Sequence, residues 1–197
     1  MAQTVDLIEF DTRRLRLRQW RAADRSPFAA LNADPLVMAF FPAPLTRAES
    51  DAMADRCESH LAERGWGFWA VETLGQAPEF IGFVGLNTPS AALPFSPCVE
   101  VGWRLAVPFW GKGFALEAAR GALQVGFATL GLADIVSFTT VGNRRSRALM
   151  ERLQMQEAPH TFEHPAVPAA SGLREHCLYR LSHEQWQAGR RHSEEHK

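Results

Sequence analysis

The sequence predicts an α/β fold in which a mixed, mostly antiparallel central sheet is flanked by helices. Segments of strict apolar alternation recur along the chain, as strands with one buried face require. Other segments repeat apolar residues at helical spacing. An antiparallel meander comes first and a strand-helix-strand-helix section second, an order that belongs to one mixed sheet. The 197 residues suffice for a single domain with a full core, and 46% hydrophobic with 22% charged residues is ordinary globular composition.

Leu15, Leu17 and Gln19 alternate with arginines and make a first strand with one wet face. Asp24–Asn32 and Thr46–Arg64 are helices, the second opening on the capping box Thr46-Arg-Ala-Glu49 and stopping at Gly65. Between them Phe40-Phe41-Pro42-Ala-Pro44 is an apolar loop that the prolines keep from being helical. Gly67–Thr73 and Phe80–Leu86 are strands joined by a turn at Gly75, and Asn87–Pro97 is a loop. Val99, Val101, Trp103, Leu105 and Val107 alternate along the next strand, which Pro108 ends by removing a ladder donor. Ala115, Ala118, Ala119, Ala122, Leu123, Phe127 and Leu130 then mark a helix with its stop at Gly131. Ile135–Val141 is β-branched and aromatic, hence a strand, and Asn143 caps a helix carrying Ala148, Leu149 and Leu153. After Met155 come a His- and Pro-rich loop, a strand at 175–181 and a polar helical tail. The expected ordered core runs from about residue 10 to about 187, and 192–197 is expected to be disordered.

A formal net charge of −1 argues against general binding to nucleic acid or anionic membrane. Cys57, Cys98 and Cys177 are odd in number and widely spaced, which suits buried or free thiols in a reducing compartment. Asp6, Glu9 and Asp11 occupy the start, where a signal peptide needs an apolar run, and no segment approaches the roughly 20 apolar residues of a membrane span. These features predict a cytoplasmic location and leave the alternatives of monomer or homodimer open.

The most informative stretch is Val99–Ala119. Its strand ends in Trp110-Gly111-Lys112-Gly113-Phe114-Ala115, which opens directly into a helix. A helix start offers unpaired N–H groups and partial positive charge to an anion such as a pyrophosphate. Gly111 and Gly113 let that anion approach the backbone, and Lys112 adds a full charge. The turn is neither a Walker loop nor Gly-x-Gly-x-x-Gly, and glycines chosen for packing alone give the same local pattern.

Trp110-Gly-Lys-Gly-Phe-Ala-Leu-Glu-Ala, with Asn143-x-x-Ser146-x-x-x-Met-Glu some thirty residues on, resembles the GNAT N-acetyltransferase superfamily. Within it, the ribosomal-protein alanine N-acetyltransferase branch is the nearer likeness. Thr12-Arg-Arg-Leu-Arg-Leu-Arg is similar to that branch's opening strand, Phe80-Ile-Gly-Phe-Val-Gly-Leu to its third and Cys177-Leu-Tyr-Arg-Leu to its last. Nearly the whole chain is covered. Two positions depart from the pattern: Trp110 stands where Gln or Arg is common, and Gln154 where a helix-ending glycine is common. A left-handed cap would cost Gln154 about 1 kcal/mol more than glycine, so a frayed helix end is expected.

The resemblance implies two splayed central strands, 99–106 and 135–141, with the pantetheine arm of acetyl-coenzyme A between them, and no metal. It implies acetyl transfer to a primary amine, either a peptide or protein N-terminus or a small amine, by direct attack in a ternary complex. The cofactor contacts are then Leu105, Ala106, Val107, Trp110, Gly111, Lys112, Gly113, Phe114, Ala115, Asn143 and Ser146. A backbone N–H near Leu105 would polarise the thioester carbonyl, and the amides of 111–115 would hold the pyrophosphate.

Ser146 is the candidate proton donor to the departing thiolate, against the alternatives of a cofactor contact or an idle first-turn serine. Glu100 is the candidate base, against an ion pair with Arg104 or another cation. The base matters less for an α-amine of pKa about 7.8 than for a lysine of about 10.4, because the former is already partly neutral. The only tyrosine, Tyr179, lies in the last strand. Phe40 and Phe41 are loop aromatics suited to an acceptor pocket, and His164 and His176 lie in a segment that the resemblance sets over that pocket. Histidines in such loops also serve as plain surface or hydrogen-bonding residues. The spacing of His160, Glu163 and His164 is a weak metal pattern. The rival function is a non-catalytic acyl-coenzyme A binding or sensing module.

Overall fold

Phe10–Asp11 (β1) pairs antiparallel with Leu15–Arg18 (β2), whose Leu15 and Leu17 are fully buried as the alternation requires. The computed structural model describes residues 5–194, and these separate into two compact units. One comprises the described chain to Asn87 with Gly102–Ala122; the other comprises Thr88–Val101 and the described chain from Leu123.

In the first unit β2 carries a correction to the expected wet face. Arg18 is only 2% exposed, because its guanidinium is engaged by two carboxylates. Nη1 and Nη2 donate to Asp24 at 2.7 and 2.9 Å, and Nε and Nη2 donate to Glu72 Oε2 at 3.1 and 2.8 Å. A turn at 22–24 leads into α1 (Arg25–Ala33), which packs against α2 (Arg47–Arg64). The capping box forms as expected: Glu49 N–H donates to Thr46 Oγ1 at 3.3 Å and Thr46 N–H to Glu49 Oε2 at 2.8 Å. Gly65 closes the helix at φ 78°. Strands β3 (Phe68–Thr73) and β4 (Phe80–Asn87) follow, in antiparallel order β1-β2-β3-β4, and β5 (Glu100–Leu105) lies beside β4. Helix α3 (Phe114–Gln124) starts in this unit and continues into five residues of π-helix, 125–129, in the other.

In the second unit the start of β5 pairs in parallel with β6 (Asp134–Thr140) at Glu100↔Val136. Ser137 Oγ donates to the Val101 carbonyl at 2.9 Å. Helix α4 (Arg144–Arg152) follows β6. The loop expected after Met155 contains two short strands, β7 (Gln156–Glu157) and β8 (Phe162–Glu163). Both pair antiparallel with β9 (Glu175–Ser182), which pairs with β6 over seven positions from Asp134↔Ser182 to Thr140↔His176. Two-residue strands carry too little alternation to be read from sequence; the long neighbour β9 imposes them.

Gln154 does adopt the left-handed conformation, at φ 63°. The expected fraying is absent: Met155 N–H donates to the Met150 carbonyl at 3.1 Å and Gln154 N–H to Glu151 at 2.9 Å, which together close α4 as a Schellman motif. Helix α5 (His183–Glu194) is helical in backbone through 192–194; the rest of the expected disordered tail, 195–197, lies outside the described residues. Phe127 rests on Trp186 of α5 at 5.2 Å. Among the described residues no helix is long and apolar enough to cross a membrane. Cys57, Cys98 and Cys177 are free thiols.

Candidate active site

The first unit presents the glycine turn. Strand β5 ends at Leu105, and Val107–Phe109 form a single 3-10 turn, so Val107 leaves the strand alternation expected for it. Ala106 N–H donates to the Ile81 carbonyl of β4 at 2.9 Å. Successive strand N–H groups point to opposite edges, so the Leu105 N–H faces away from β4. That orientation is what a carbonyl-polarising donor needs. Trp110 explains its own departure from the usual Gln or Arg: its indole Nε1 donates to the Leu105 carbonyl at 2.7 Å and ties the turn to the strand end.

Gly111 and Gly113 stand at φ 72° and 80°, a region that favours glycine, and both are exposed together with Lys112. A Cβ on Gly111 would meet nothing within 4 Å, and one on Gly113 only Arg14 Nη2 at 3.4 Å. The open side of the turn is therefore free to take a ligand against the backbone. The first helical bond, Glu117 N–H to the Gly113 carbonyl at 3.0 Å, sets the amides before it at the helix start, where partial positive charge collects. Phe114 lies under the Arg14 guanidinium at 4.5 Å, and Ala115 is half-buried in the first turn.

Sequence reasoning missed what holds this turn. Glu117 lies inside the quoted motif, yet it was assigned no role. Its carboxylate accepts from the Thr12 hydroxyl at 2.6 Å and from Arg14 Nε and N–H, each at 2.7 Å, and Arg14 Nη1 donates to the Lys112 carbonyl at 3.0 Å. Burial pushes the Glu117 carboxyl upward in pKa, but the bonds from Thr12 and Arg14 outweigh it and hold the group below the usual range. An acid at a helix start, a hundred residues from an arginine, gives no sequence signal of pairing.

Phe41, expected at an acceptor pocket, is 39% exposed and stacks at 4.2 Å on the guanidinium of Arg104; Phe40 is half-buried nearby in the same run of turns. Arg104 donates to Asn32 Oδ1 at 2.6 Å. Arg104 is buried under α1 and α2 residues.

The second unit holds the remaining candidates. Asn143 caps α4 by accepting from Ser146 N–H at 3.2 Å, and its amide donates to Thr139 Oγ1 at 3.0 Å. Ser146 is half-buried in the first turn, as is Glu100 on β5. Tyr179 is committed elsewhere: Arg147 Nε donates to its hydroxyl at 3.4 Å, and the hydroxyl donates to Glu157 at 3.0 Å. His164 and His176 do come together, with ring centroids 5.0 Å apart, in a cluster with Phe138 and Phe162. His176 Nδ1 lies 2.9 Å from the Arg174 carbonyl, which makes Nδ1 the protonated nitrogen and leaves Nε2 as the acceptor. Burial holds both imidazoles below their ordinary pKa, and the His176 ring adds to this at His164. Among the described residues no group of three His, Cys, Asp or Glu is placed to hold a metal ion.

The acetyltransferase (GNAT) domain family matches residues 14–156. The FsC-acetyl coenzyme A-N(2)-transacetylase of Aspergillus fumigatus is 30% identical over 126 residues, covering 62% of this chain and 52% of that protein. The chain thus spans about half the length of this curated relative. The crystal structure of an acetyltransferase from Agrobacterium tumefaciens superposes with a TM-score of 0.72 at 26% identity, over 92% of this chain and 98% of the other. The spermidine N-acetyltransferase from Vibrio cholerae, solved with CoA and spermine, superposes with a TM-score of 0.67 at 21% identity, over 88% and 98% of the two chains; that likeness is one of fold.

Proposed function

The chain belongs to the GNAT acetyltransferase family, and on that premise we propose that it transfers an acetyl group from acetyl-coenzyme A to a primary amine. The observation that carries the reading is the turn 110–113, with two exposed glycines at positive φ feeding the start of α3. Backbone amides there suit a pyrophosphate, and Lys112 adds charge. When bound, acetyl-coenzyme A supplies an activated acyl group as a thioester. Leu105 N–H, aimed away from β4, would polarise the thioester carbonyl. Ser146 would give its hydroxyl proton to the leaving sulfur, and Glu100 would take the proton released by the attacking amine. Tyr179 is unsuited to the donor role because its hydroxyl is held by Arg147 and Glu157.

For the acceptor, the reading is an α-amine on a peptide or protein N-terminus, as in the ribosomal-protein alanine branch, or a small amine. A polyamine wants several carboxylates in its pocket. Around Phe41 the described charge is instead the cation of Arg104.

Coenzyme A at 100 times its dissociation constant should stabilise the protein by about 2.7 kcal/mol. Gly113→Val should remove that gain by closing the approach to the backbone. An unchanged melting temperature at saturating coenzyme A overturns the site assignment. Acetylation of N-terminal peptides with little turnover of spermidine supports the acceptor; the reverse overturns it. Stabilisation by coenzyme A with no turnover of any amine leaves the binding-module alternative.

A further inference from the structure

Arg104 is the one strongly buried cation of the first unit for which no carboxylate partner is found among the described residues. It is 9% exposed. Nη1 donates to Asn32 Oδ1 at 2.6 Å and lies 3.8 Å from Met53 Sδ, while Nε is buried with no hydrogen-bond partner. Asn32 is itself fixed, since its Nδ2 donates to Ser50 Oγ at 2.9 Å and both residues are fully buried. Phe41 covers the guanidinium at 4.2 Å and Phe83 flanks it at 5.4 Å. Burial pushes the pKa of Arg104 down to about 10, with only the Cys57 thiol acting against this, so the group stays cationic at neutral pH.

Arg18 is buried to a like degree in the same unit. That buried arginine has two carboxylates around it. A buried charge without a counterion is costly, and a buried donor without an acceptor adds to that cost. Aromatic faces offset part of this but leave the Nε edge unsatisfied. The guanidinium is held at one end by Asn32, so its other edge is fixed in direction, as planar recognition of a carboxylate needs.

We propose that Arg104 is the carboxylate-binding residue of the acceptor site, and that the acceptor is an amine bearing a carboxylate, received at the Nε edge beside Phe41. This rests on the acetyl-transfer reading and narrows its substrate class. The carboxylate belongs either to a free amino acid or to an acidic side chain near a peptide N-terminus; the chemistry at Arg104 is the same.

Two measurements test it. In the first, kcat/KM is compared for alanine against alaninamide and for Glu-led against Gln-led peptides. The acid of at least one pair should exceed its neutral partner by about 10-fold or more, carried by KM, as a charged hydrogen bond implies. Preference within the first pair assigns a free amino acid, and within the second a peptide side chain. Arg104→Gln should erase the preference, and Arg104→Lys, which keeps charge but loses the fork, should restore part of it. In the second, the Nε–H resonance of Arg104 in the wild-type protein is followed during titration with N-acetylalanine, N-acetylglutamate and their amides. A shift with a carboxylate and not with its amide supports the proposal without requiring turnover or a folded variant. Equal rates for acid and amide in both pairs, with an unmoved Nε–H signal, overturn it while leaving acetyl transfer intact. Failure of every amine to react, with the Nε–H shift present, faults the transfer reading instead.

Discussion

Glu117 and Arg14, 103 positions apart, meet twice: Oε1 accepts from the Arg14 backbone N–H and Oε2 from its Nε, each at 2.7 Å. This ties the first turn of α3 to the chain just before β2, and Arg14 Nη1 extends the tie to the Lys112 carbonyl inside the glycine turn. An acidic group at the helix start would otherwise repel an anionic ligand; Arg14 neutralises it. Glu117→Gln should therefore cost about 1–3 kcal/mol, and with it roughly 2–4 °C of melting temperature per kcal/mol. Coenzyme A affinity should fall as well, because the amides of 111–113 lose their support. Calorimetry with and without coenzyme A separates the two effects; unchanged affinity would confine Glu117 to stability.

Ser146 offers a sharper kinetic signature. If its hydroxyl protonates the leaving thiolate, Ser146→Ala should lower kcat by about 10²-fold with coenzyme A affinity retained. A thiolate of pKa near 8.5 needs no proton in alkali, so the defect should shrink by pH about 9.5. Rate profiles of the two proteins across pH 7 to about 9.5 make the comparison, and a defect of constant size would assign Ser146 to positioning alone.

What the sequence made legible depended on how local the cause was. The capping box at Thr46, the N-cap at Asn143 and the strand–turn–helix at 99–119 are decided within a few residues, and all of them formed. The burial of Arg18 and of Arg104 is hidden in the sequence, because both sit in alternating strands, and only for Arg18 does the alternation predict a wet face. Their burial comes from residues brought in by other elements, Asp24 and Glu72 in one case and Asn32 and Phe41 in the other. Strands β7 and β8 were missed for a related reason, since their pairing is set by β9. Of the candidate site, the glycine turn could be read because backbone conformation is encoded in the glycines. The Thr12–Arg14–Glu117 network that supports it could not, because side-chain pairing across a hundred residues leaves no periodicity.

Arg18 and Asp24 form a bidentate pair with side chains each 3% exposed, and Asp24 also accepts from the Arg21 N–H at 2.8 Å. Removing one partner of a buried pair leaves the other charge uncompensated, typically at about 3–5 kcal/mol. Glu72 remains as a second counterion, so Asp24→Asn should fall near the lower end, at about 3 kcal/mol. Urea unfolding should show the midpoint shift with unchanged slope. A loss below about 1 kcal/mol would mean that Glu72 alone satisfies Arg18.

The His164–His176 pair makes stability depend on pH in a defined direction. Burial holds both imidazoles below their ordinary value of 6.5, so the folded chain resists protons that the unfolded chain accepts. Stability from this source is complete above about pH 6.5 and declines as the pH falls below it, by at most about 1.4 kcal/mol per pH unit for the buried His176. His164 is more exposed and should contribute less through solvent screening. His176→Gln, which keeps a polar group opposite the Arg174 carbonyl but cannot ionise, should flatten the fall across that window. Chemical denaturation of both proteins at half-unit intervals of pH decides it. Parallel curves would show that protonation of His176 is met by the aromatic cluster of Phe138 and Phe162 without cost to folding.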